Sequence, residues 1–466
     1  MIEKCDVLLT YEIRNREIEN LCLIKHELEK RGYSVQIRMQ YETFFRSQPP
    51  LEARVVVVPA YYRPRARFYT ASHTIRTERI LNMMWEQVLD SSSETEDKLH
   101  SIKPWGRIAA HIAWGNHMQQ RLINEFGVDP RHVFKTGHIA LDFLRYPLLR
   151  YFEDKKTLFT EYGIPLDKRA NLFISSFALA DADLHVLKKA SMNDKDGSRY
   201  QKFGQQSAES RRELLQWFER ILQENKDDVI IYRPHPEEKV SELLLELTER
   251  QDRFFVIGEK SVKQWILVCD KIYSWMSTSV AEVYAAGKGC SVLRPIEVSK
   301  ENDIGIYQNT NYITSYEAFQ MEFHSGIQTH TIEQDVISEN YFIPQEKMTY
   351  ELICDAIERV LSDDSFLISP SMKNPLLGAF STERIKNRIK RTIANSKTLE
   401  KLHSCKKSRR GYLLELIDNI FYVKEKLEKN ATSEEEINEI TSRIHYALYS
   451  EDRGTSLTKD DKLNQL

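Results

Sequence analysis

The chain has 466 residues, 66 of them Lys or Arg against 69 Asp or Glu, and a formal net charge of −3. That length is too great for one ordinary core and suits two domains plus an extension, and 41% hydrophobic with 29% charged residues predicts a soluble globular protein. The charge balance argues against a general nucleic-acid binder, and no apolar run reaches the roughly 18 to 20 residues that cross a bilayer.

The opening segment alternates strand and helix. Asp6 to Thr10 is an apolar strand, Glu17 to Arg31 places Leu21, Ile24 and Leu28 at helical spacing, and Gly32 suits the helix C-cap. Tyr33 to Ile37 and Arg54 to Pro59 are the next strands, the latter carrying Val55 to Val58. Unbroken apolar strands with helices between them predict a parallel sheet covered on both faces. Arg79 to Val88 reads as a helix, Ile108 to Trp114 as a strand, His117 to Phe126 as a helix closed by Gly127, and Val133 to Thr136 as a short strand.

The charged stretch from Tyr151 to Arg169 is the expected link to a second α/β series that begins with Asn171 to Phe177. Helices Glu209 to Gln223 and Val240 to Gln251 flank the strand Val229 to Tyr232; Phe254 to Ile257, Lys271 to Tyr273 and Cys290 to Leu293 are later strands, and Met348 to Leu361 is a helix. The expected domains are residues 1–150, 151–400 and a charged helical tail, 401–466, whose last dozen residues are expected to be disordered. Six scattered cysteines (Cys5, Cys22, Cys269, Cys290, Cys354 and Cys405) show no C-x-x-C or zinc-finger spacing. They read as reduced thiols. With no secretory signal at Met1 to Asp6, the expected location is the cytoplasm, with peripheral attachment to the inner face of the membrane left open.

The chemistry concentrates after strands. The strand Val229 to Tyr232 runs into Arg233-Pro234-His235-Pro236. Each proline lacks an N–H and fixes its own φ, so the strand must end there in a stiff turn. In a parallel sheet that turn lies at the carboxyl edge, where open α/β folds bind ligands. Arg233 offers a planar fork for phosphate and His235 a donor or proton carrier. Ser277, Thr278 and Ser279 precede a helix, where hydroxyls and backbone N–H groups suit an anion, and Glu282 follows in its first turns. Ser175 and Ser176 end the first strand of the second series. Asp181-Ala182-Asp183 has the spacing of some metal-binding pairs, although no metal is expected.

In the first domain, Glu12 and Arg14 follow the opening strand, and no Gly-x-Gly-x-x-Gly accompanies them, which argues against a dinucleotide site. Trp85-Glu86-Gln87 is a second polar group. Either Glu12 or Glu86 is a candidate general base. His111, Trp114 and His138 end two further strands and are expected on the same cleft-facing edge. No Gly-x-Ser-x-Gly or His-Glu-x-x-His motif supports a hydrolase.

Taken in order, Glu12 with Arg16-Glu17, Trp114-Gly115, Thr136 to Asp142, Ile174 to Ala178, Arg233 to Pro236, and Ser277 with Glu282 and Gly287-Lys288 resemble the bacterial surface carbohydrate biosynthesis family. That family is related to CDP-glycerol glycerophosphotransferases and capsule Kdo transferases. The resemblance implies a GT-B architecture, two Rossmann-like domains facing across a cleft, with the donor held by the C-terminal domain and the acceptor by the N-terminal one. It implies a glycosyltransferase, or a polyol-phosphate transferase, of cell-surface polysaccharide assembly. A nucleotide-sugar would be its substrate, a glycan or lipid-linked molecule its acceptor, and no cofactor is called for. Arg233, His235 and Ser277 to Ser279 would hold donor phosphates, Glu282 the ribose. The alternatives are a nucleotide-sugar epimerase or hydrolase on the same fold, and a non-catalytic assembly factor.

Overall fold

The computed structural model describes residues 2–40, 51–62, 75–88, 102–182 except 105, 198–368 except 301, 308, 309, 327 and 329, 389–404 except 391, and 417–450 except 418, 419, 422, 423 and 426. The chain forms two parallel α/β units with a helical C-terminal region, as the alternation of apolar strands and amphipathic helices predicts. The first unit comprises Met1–Gln87, His100–Ile139 and Phe342–Tyr446, and the second is built chiefly from Ala140–Tyr341.

In the first unit the strands are β1 (Glu3–Tyr11), β2 (Val35–Met39), β3 (Leu51–Val58), β4 (Ile75–Asn82), β5 (Ala110–Ala113) and β6 (Val133–Lys135). They form a six-stranded parallel sheet in the order β2-β1-β3-β4-β5-β6. The chain builds outward from β1 on one side, then returns to build from its other side with β3. Strand order therefore reverses between β1 and β3, and ligands of open α/β sheets bind outside the carboxyl ends at such a point.

The segment expected as helix Arg79 to Val88 is instead β4 followed by an irregular turn. Its clustered apolar residues mimic a helix face, but Ile75, Thr77 and Arg79 are all buried on one face and Ile80 and Leu81 inside the sheet. Pairing with β3 at seven positions outweighs local propensity. Met84 then takes a left-handed φ of 49° and donates its N–H to the Asn82 side chain at 3.2 Å.

Helix α1 (Arg14–Lys30) is buried nearly all round, including Leu21, Cys22, Leu23, Ile24 and Leu28. Two later helices account for this. Thr349–Ser362 packs on it, with the Cys354 thiol 3.9 Å from the Ile24 carbonyl. Glu434–Tyr449 runs beside it, with Cys22 Sγ 3.9 Å from the Ile437 carbonyl and His26 Nε2 3.1 Å from His445 Nδ1. The chain from Phe342 onward, expected with the second domain or as a separate tail, thus returns to the first unit. Phe342 enters it by donating its N–H to the Trp114 carbonyl at 2.8 Å. Residues 371–388, the last dozen residues and Cys405 lie outside the described residues.

The second unit holds β7 (Arg169–Ile174), β8 (Asp228–Arg233), β9 (Phe254–Val256), β10 (Lys271–Ser274) and β11 (Ser291–Val292), parallel in the order β11-β10-β7-β8-β9. Its order reverses between β7 and β10. The long helix Arg199–Glu224 buries Leu214, Trp217, Phe218, Ile221 and Leu222 against this sheet, with Phe218 and Phe173 rings 5.0 Å apart.

Candidate functional site

In the second unit three adjacent strands, β10, β7 and β8, release their chains at one carboxyl edge. β10 leads into Trp275 to Ser279, β7 into Ser175 and Ser176, and β8 into Pro234 and His235. The sequence-predicted donor residues therefore share an edge, with Ser176 and Ser277 flanking the reversal point.

The turn at His235 is tightly bonded. The His235 carbonyl accepts the Glu238 N–H at 2.8 Å, while the His235 N–H donates to Glu238 Oε2 at 3.2 Å. Imidazole Nδ1 accepts the Glu237 N–H at 3.2 Å, so a neutral ring carries its proton on Nε2. His235 is exposed. Glu238, which sequence reasoning missed, has a side chain with no exposed surface. Its carboxylate also receives the Ser175 hydroxyl and the Tyr232 hydroxyl, the latter at 2.6 Å. Burial, followed by the neighbouring Glu238 charge, holds the Tyr232 phenol well above its ordinary range, so it stays a donor. A carboxylate a few residues after a strand-ending histidine was the available signal.

Two expected donor-site roles shift. Ser175 is only 2% exposed and its proton is committed to Glu238, so it braces the strand end and leaves Ser176, half-buried, beside the reversal point. The Arg233 guanidinium is held by the carbonyls of Ile257, Glu259 and Lys260. Burial pushes it down to about 10, against the pull of Glu259, Tyr162 and Glu282, so it remains charged at neutral pH. Arg233 thus clamps the loop after β9 and supplies a positive field rather than an open fork.

Ser277 is fixed by Tyr307, whose hydroxyl accepts the Ser277 N–H at 2.9 Å and donates to its carbonyl at 2.8 Å. Ser277 Oγ accepts the Ser279 N–H at 3.2 Å, and Thr278 is exposed. The following helix, Val280–Ala285, has six residues, with half-buried Glu282 in its first turn. Lys288 lies elsewhere: its Nζ donates to the Leu267 and Cys269 carbonyls, at 2.9 and 2.8 Å, just before β10 begins. Asp181 is engaged by Arg211 through two bonds of 2.7 and 2.5 Å, and Asp183 lies outside the described residues. Among the described residues no acidic, His or Cys group is arranged to hold a metal ion.

In the first unit the reversal point is occupied by charged groups. Glu17 Oε2 accepts the Glu12 N–H at 2.9 Å, and Glu17 Oε1 accepts Arg16 Nε and Nη2 at 3.1 and 2.8 Å. Arg16 Nη1 reaches Glu86 at 2.9 Å. Both candidate bases therefore converge on one pair, half-buried Glu12 through its backbone and exposed Glu86 through an ion pair. Burial pushes the Glu17 carboxyl up to about 7, against the opposing pull of Arg16 and the Glu12 N–H.

Two expected acceptor residues are corrected. His111 is fully buried: Nδ1 accepts from Asn82 at 3.1 Å and Nε2 donates to the Gly106 carbonyl at 2.9 Å. It supports the turn after β4 and offers no surface. Arg14 is turned to the C-terminal segment, its N–H on Asn430 Oδ1 at 2.9 Å and its Nε on Glu436 at 2.9 Å. Ile13 provides no side-chain cap for α1, so Asn430, far along the chain, supplies the acceptor there. Trp114 is buried, with its N–H on Gln87 Oε1 at 2.8 Å and its ring 4.0 Å from the half-buried His138 ring. Trp85 meets the same imidazole edge-on at 6.4 Å.

No family profile matches the chain, and no curated protein sequence matches it. Solved structures similar to it include a putative UDP-N-acetylglucosamine 2-epimerase from Listeria monocytogenes, at 14% identity and TM-score 0.46 over 78% of this chain and 97% of that one. The wall teichoic acid polymerase TagF is similar at 12% identity and TM-score 0.48, over 76% of this chain and 88% of its own. The UDP-GlcNAc 2-epimerase of Neisseria meningitidis bound to UDP-GlcNAc is similar at 12% and 0.43, over 76% and 100%. At such identities and TM-scores, substrate and activity are left to the site itself. Among the described residues no helix is long and apolar enough to cross a membrane.

Proposed function

We propose that the protein is a transferase that moves a sugar, or a polyol phosphate, from a nucleotide-activated donor to an acceptor hydroxyl in bacterial cell-surface polysaccharide assembly. The observation that carries this is the His235 turn: an exposed imidazole with its proton on Nε2, held on a locked backbone at the carboxyl edge of a parallel sheet, one strand from its reversal point. The donor is a substrate here, and no resident cofactor takes part.

In this mechanism His235 Nε2–H donates to the donor phosphate, and the charged Arg233 adds a positive field. Ser176 and the Ser277 to Ser279 segment contact the same phosphates, and Glu282 holds the ribose hydroxyls. As the bond from the transferred group to the leaving phosphate breaks, negative charge grows on the nucleotide, and preorganised donors stabilise it most at that moment. Glu86 and Glu12 are the candidate general bases for the acceptor hydroxyl, whose proton leaves as its oxygen forms the new bond. The acceptor is a glycan or a lipid-linked glycan.

The test is to incubate the protein with UDP-, CDP-, CMP- and GDP-linked sugars and CDP-glycerol, with and without membrane glycan extract, and to measure released nucleotide. Acceptor-dependent release is expected. Inversion of the donor sugar without acceptor would replace transfer by epimerisation, and donor binding with no turnover in either condition would replace it by an assembly role.

A further inference from the structure

Beneath the His235 turn lies a buried carboxylate that receives more hydrogen bonds than strand-end packing requires. Glu238 accepts the Ser175 hydroxyl just after β7, the Tyr232 hydroxyl from β8 and the His235 N–H from the turn itself. Two of the three donors are sealed from solvent: Ser175 is 2% exposed and Tyr232 0%. Burying a carboxylate is costly unless charge and hydrogen bonds compensate it. The nearby cation is Arg211, whose Nη1 lies 4.0 Å away and whose main partner is Asp181. The three donors therefore carry much of the compensation, and each is oriented by it.

We propose that Glu238 is the positioning residue of the donor site, acting through His235. This rests on the donor site proposed above. An ionised carboxylate only accepts, so it can take all three donors at once. It fixes the His235 N–H from one side while the His235 carbonyl takes the Glu238 N–H from the other, a reciprocal pair across one turn. With Nδ1 also taken by the Glu237 N–H, the ring's donating proton is assigned to Nε2. Glu238 therefore sets where the imidazole stands, without touching the donor, while the Glu237 N–H sets which nitrogen donates. Glu238→Gln keeps the volume but replaces one acceptor oxygen with a donor, so it cannot receive all three groups.

The test is a double-mutant cycle. UDP, CDP, GDP and CMP are titrated calorimetrically into wild type, His235→Ala, Glu238→Gln and the double variant, with hydrogen exchange followed on the peptide spanning 233–238. The nucleotide that binds wild type is expected to lose about tenfold in affinity in each single variant and no more than about that in the double, because both remove one interaction. Exchange in the turn is expected to speed up in Glu238→Gln. Ser175→Ala, which removes one donor and disturbs the fold less, is expected to weaken binding about threefold, again non-additively with His235→Ala; it decides the matter if Glu238→Gln does not fold. Wild-type affinity in Glu238→Gln, or single losses that multiply in the double variant, would overturn the proposal while leaving the donor site intact. Absence of binding by any of these nucleotides to wild type would instead remove the donor site, and this role with it.

Discussion

His111 makes the first unit sensitive to acid in a way that can be calculated. Its imidazole is fully buried, accepts from Asn82 and donates to the Gly106 carbonyl, an arrangement that requires the neutral ring. Burial pushes its pKa down to about 4, whereas an unfolded histidine titrates near its ordinary 6.5. The folded value is the lower one, so the unfolded chain binds the proton first, and stability is lost as pH falls from about 6.5 towards about 4. The full gap corresponds to about 3 kcal/mol, of which about 2 kcal/mol is lost between pH 7.5 and pH 5. His111→Gln stays neutral throughout. At pH 7.5 it should be less stable than wild type by about 2–4 kcal/mol, from lost packing and hydrogen bonds. Urea unfolding of both proteins at the two pH values isolates the effect, because the other histidines cancel in the difference. The wild-type advantage should shrink by about 2 kcal/mol at pH 5. An advantage that stays constant or grows on acidification would refute the buried neutral assignment.

Other expectations follow from single contacts. Gly137 has a φ of +94°, and a Cβ there would sit 2.4 Å from the Phe342 carbonyl oxygen, so Gly137→Ala should cost more than about 2 kcal/mol and lower the melting temperature by several degrees; an unchanged melting temperature would contradict the close packing of the returning chain. Burial pushes the Cys22 thiol up to about 12, and it should resist a thiol reagent at pH 8. Removing the chain from Asn430 onward strips the Glu434–Tyr449 helix from α1 and should make Cys22 reactive, as mapped by mass spectrometry; equal labelling before and after removal would count against that packing. Glu17, raised to about 7, makes wild-type stability fall as pH rises from about 4.5 to about 7, because the unfolded chain releases that proton first. Glu17→Gln should flatten the slope in that window, and an unaltered slope would show that Glu17 is ionised when folded.

Local chemistry made much of the fold legible. Val55 to Val58 and Val229 to Tyr232 are buried inside parallel sheets, as unbroken apolar runs require, and two prolines do end β8 at the carboxyl edge. What stayed hidden depends on partners distant in sequence. β4 reads as a helix until it is paired with β3, and the second half of the α1 surface looks solvated until residues near 354 and 437 cover it. Arg14 and Arg233 were expected to meet a ligand because they follow strands; their guanidinium groups instead meet Glu436 and three backbone carbonyls, contacts that no local pattern announces. His111 was expected to end its strand at the ligand edge; it instead sits near the start of β5, fully buried. Glu238 lay in plain view in the sequence, but its role required knowing that Ser175 and Tyr232 end neighbouring strands.

The most direct test of the account is a thermal-shift panel of UDP, CDP, GDP, CMP and their sugar or glycerol conjugates on wild type and His235→Ala. A ligand present at about 100 times its dissociation constant adds about 2.7 kcal/mol to the folded state. One nucleotide class should raise the wild-type melting temperature by several degrees and leave His235→Ala much less affected. No stabilisation by any class, or an equal shift in the variant, would contradict a nucleotide-donor site at the His235 turn.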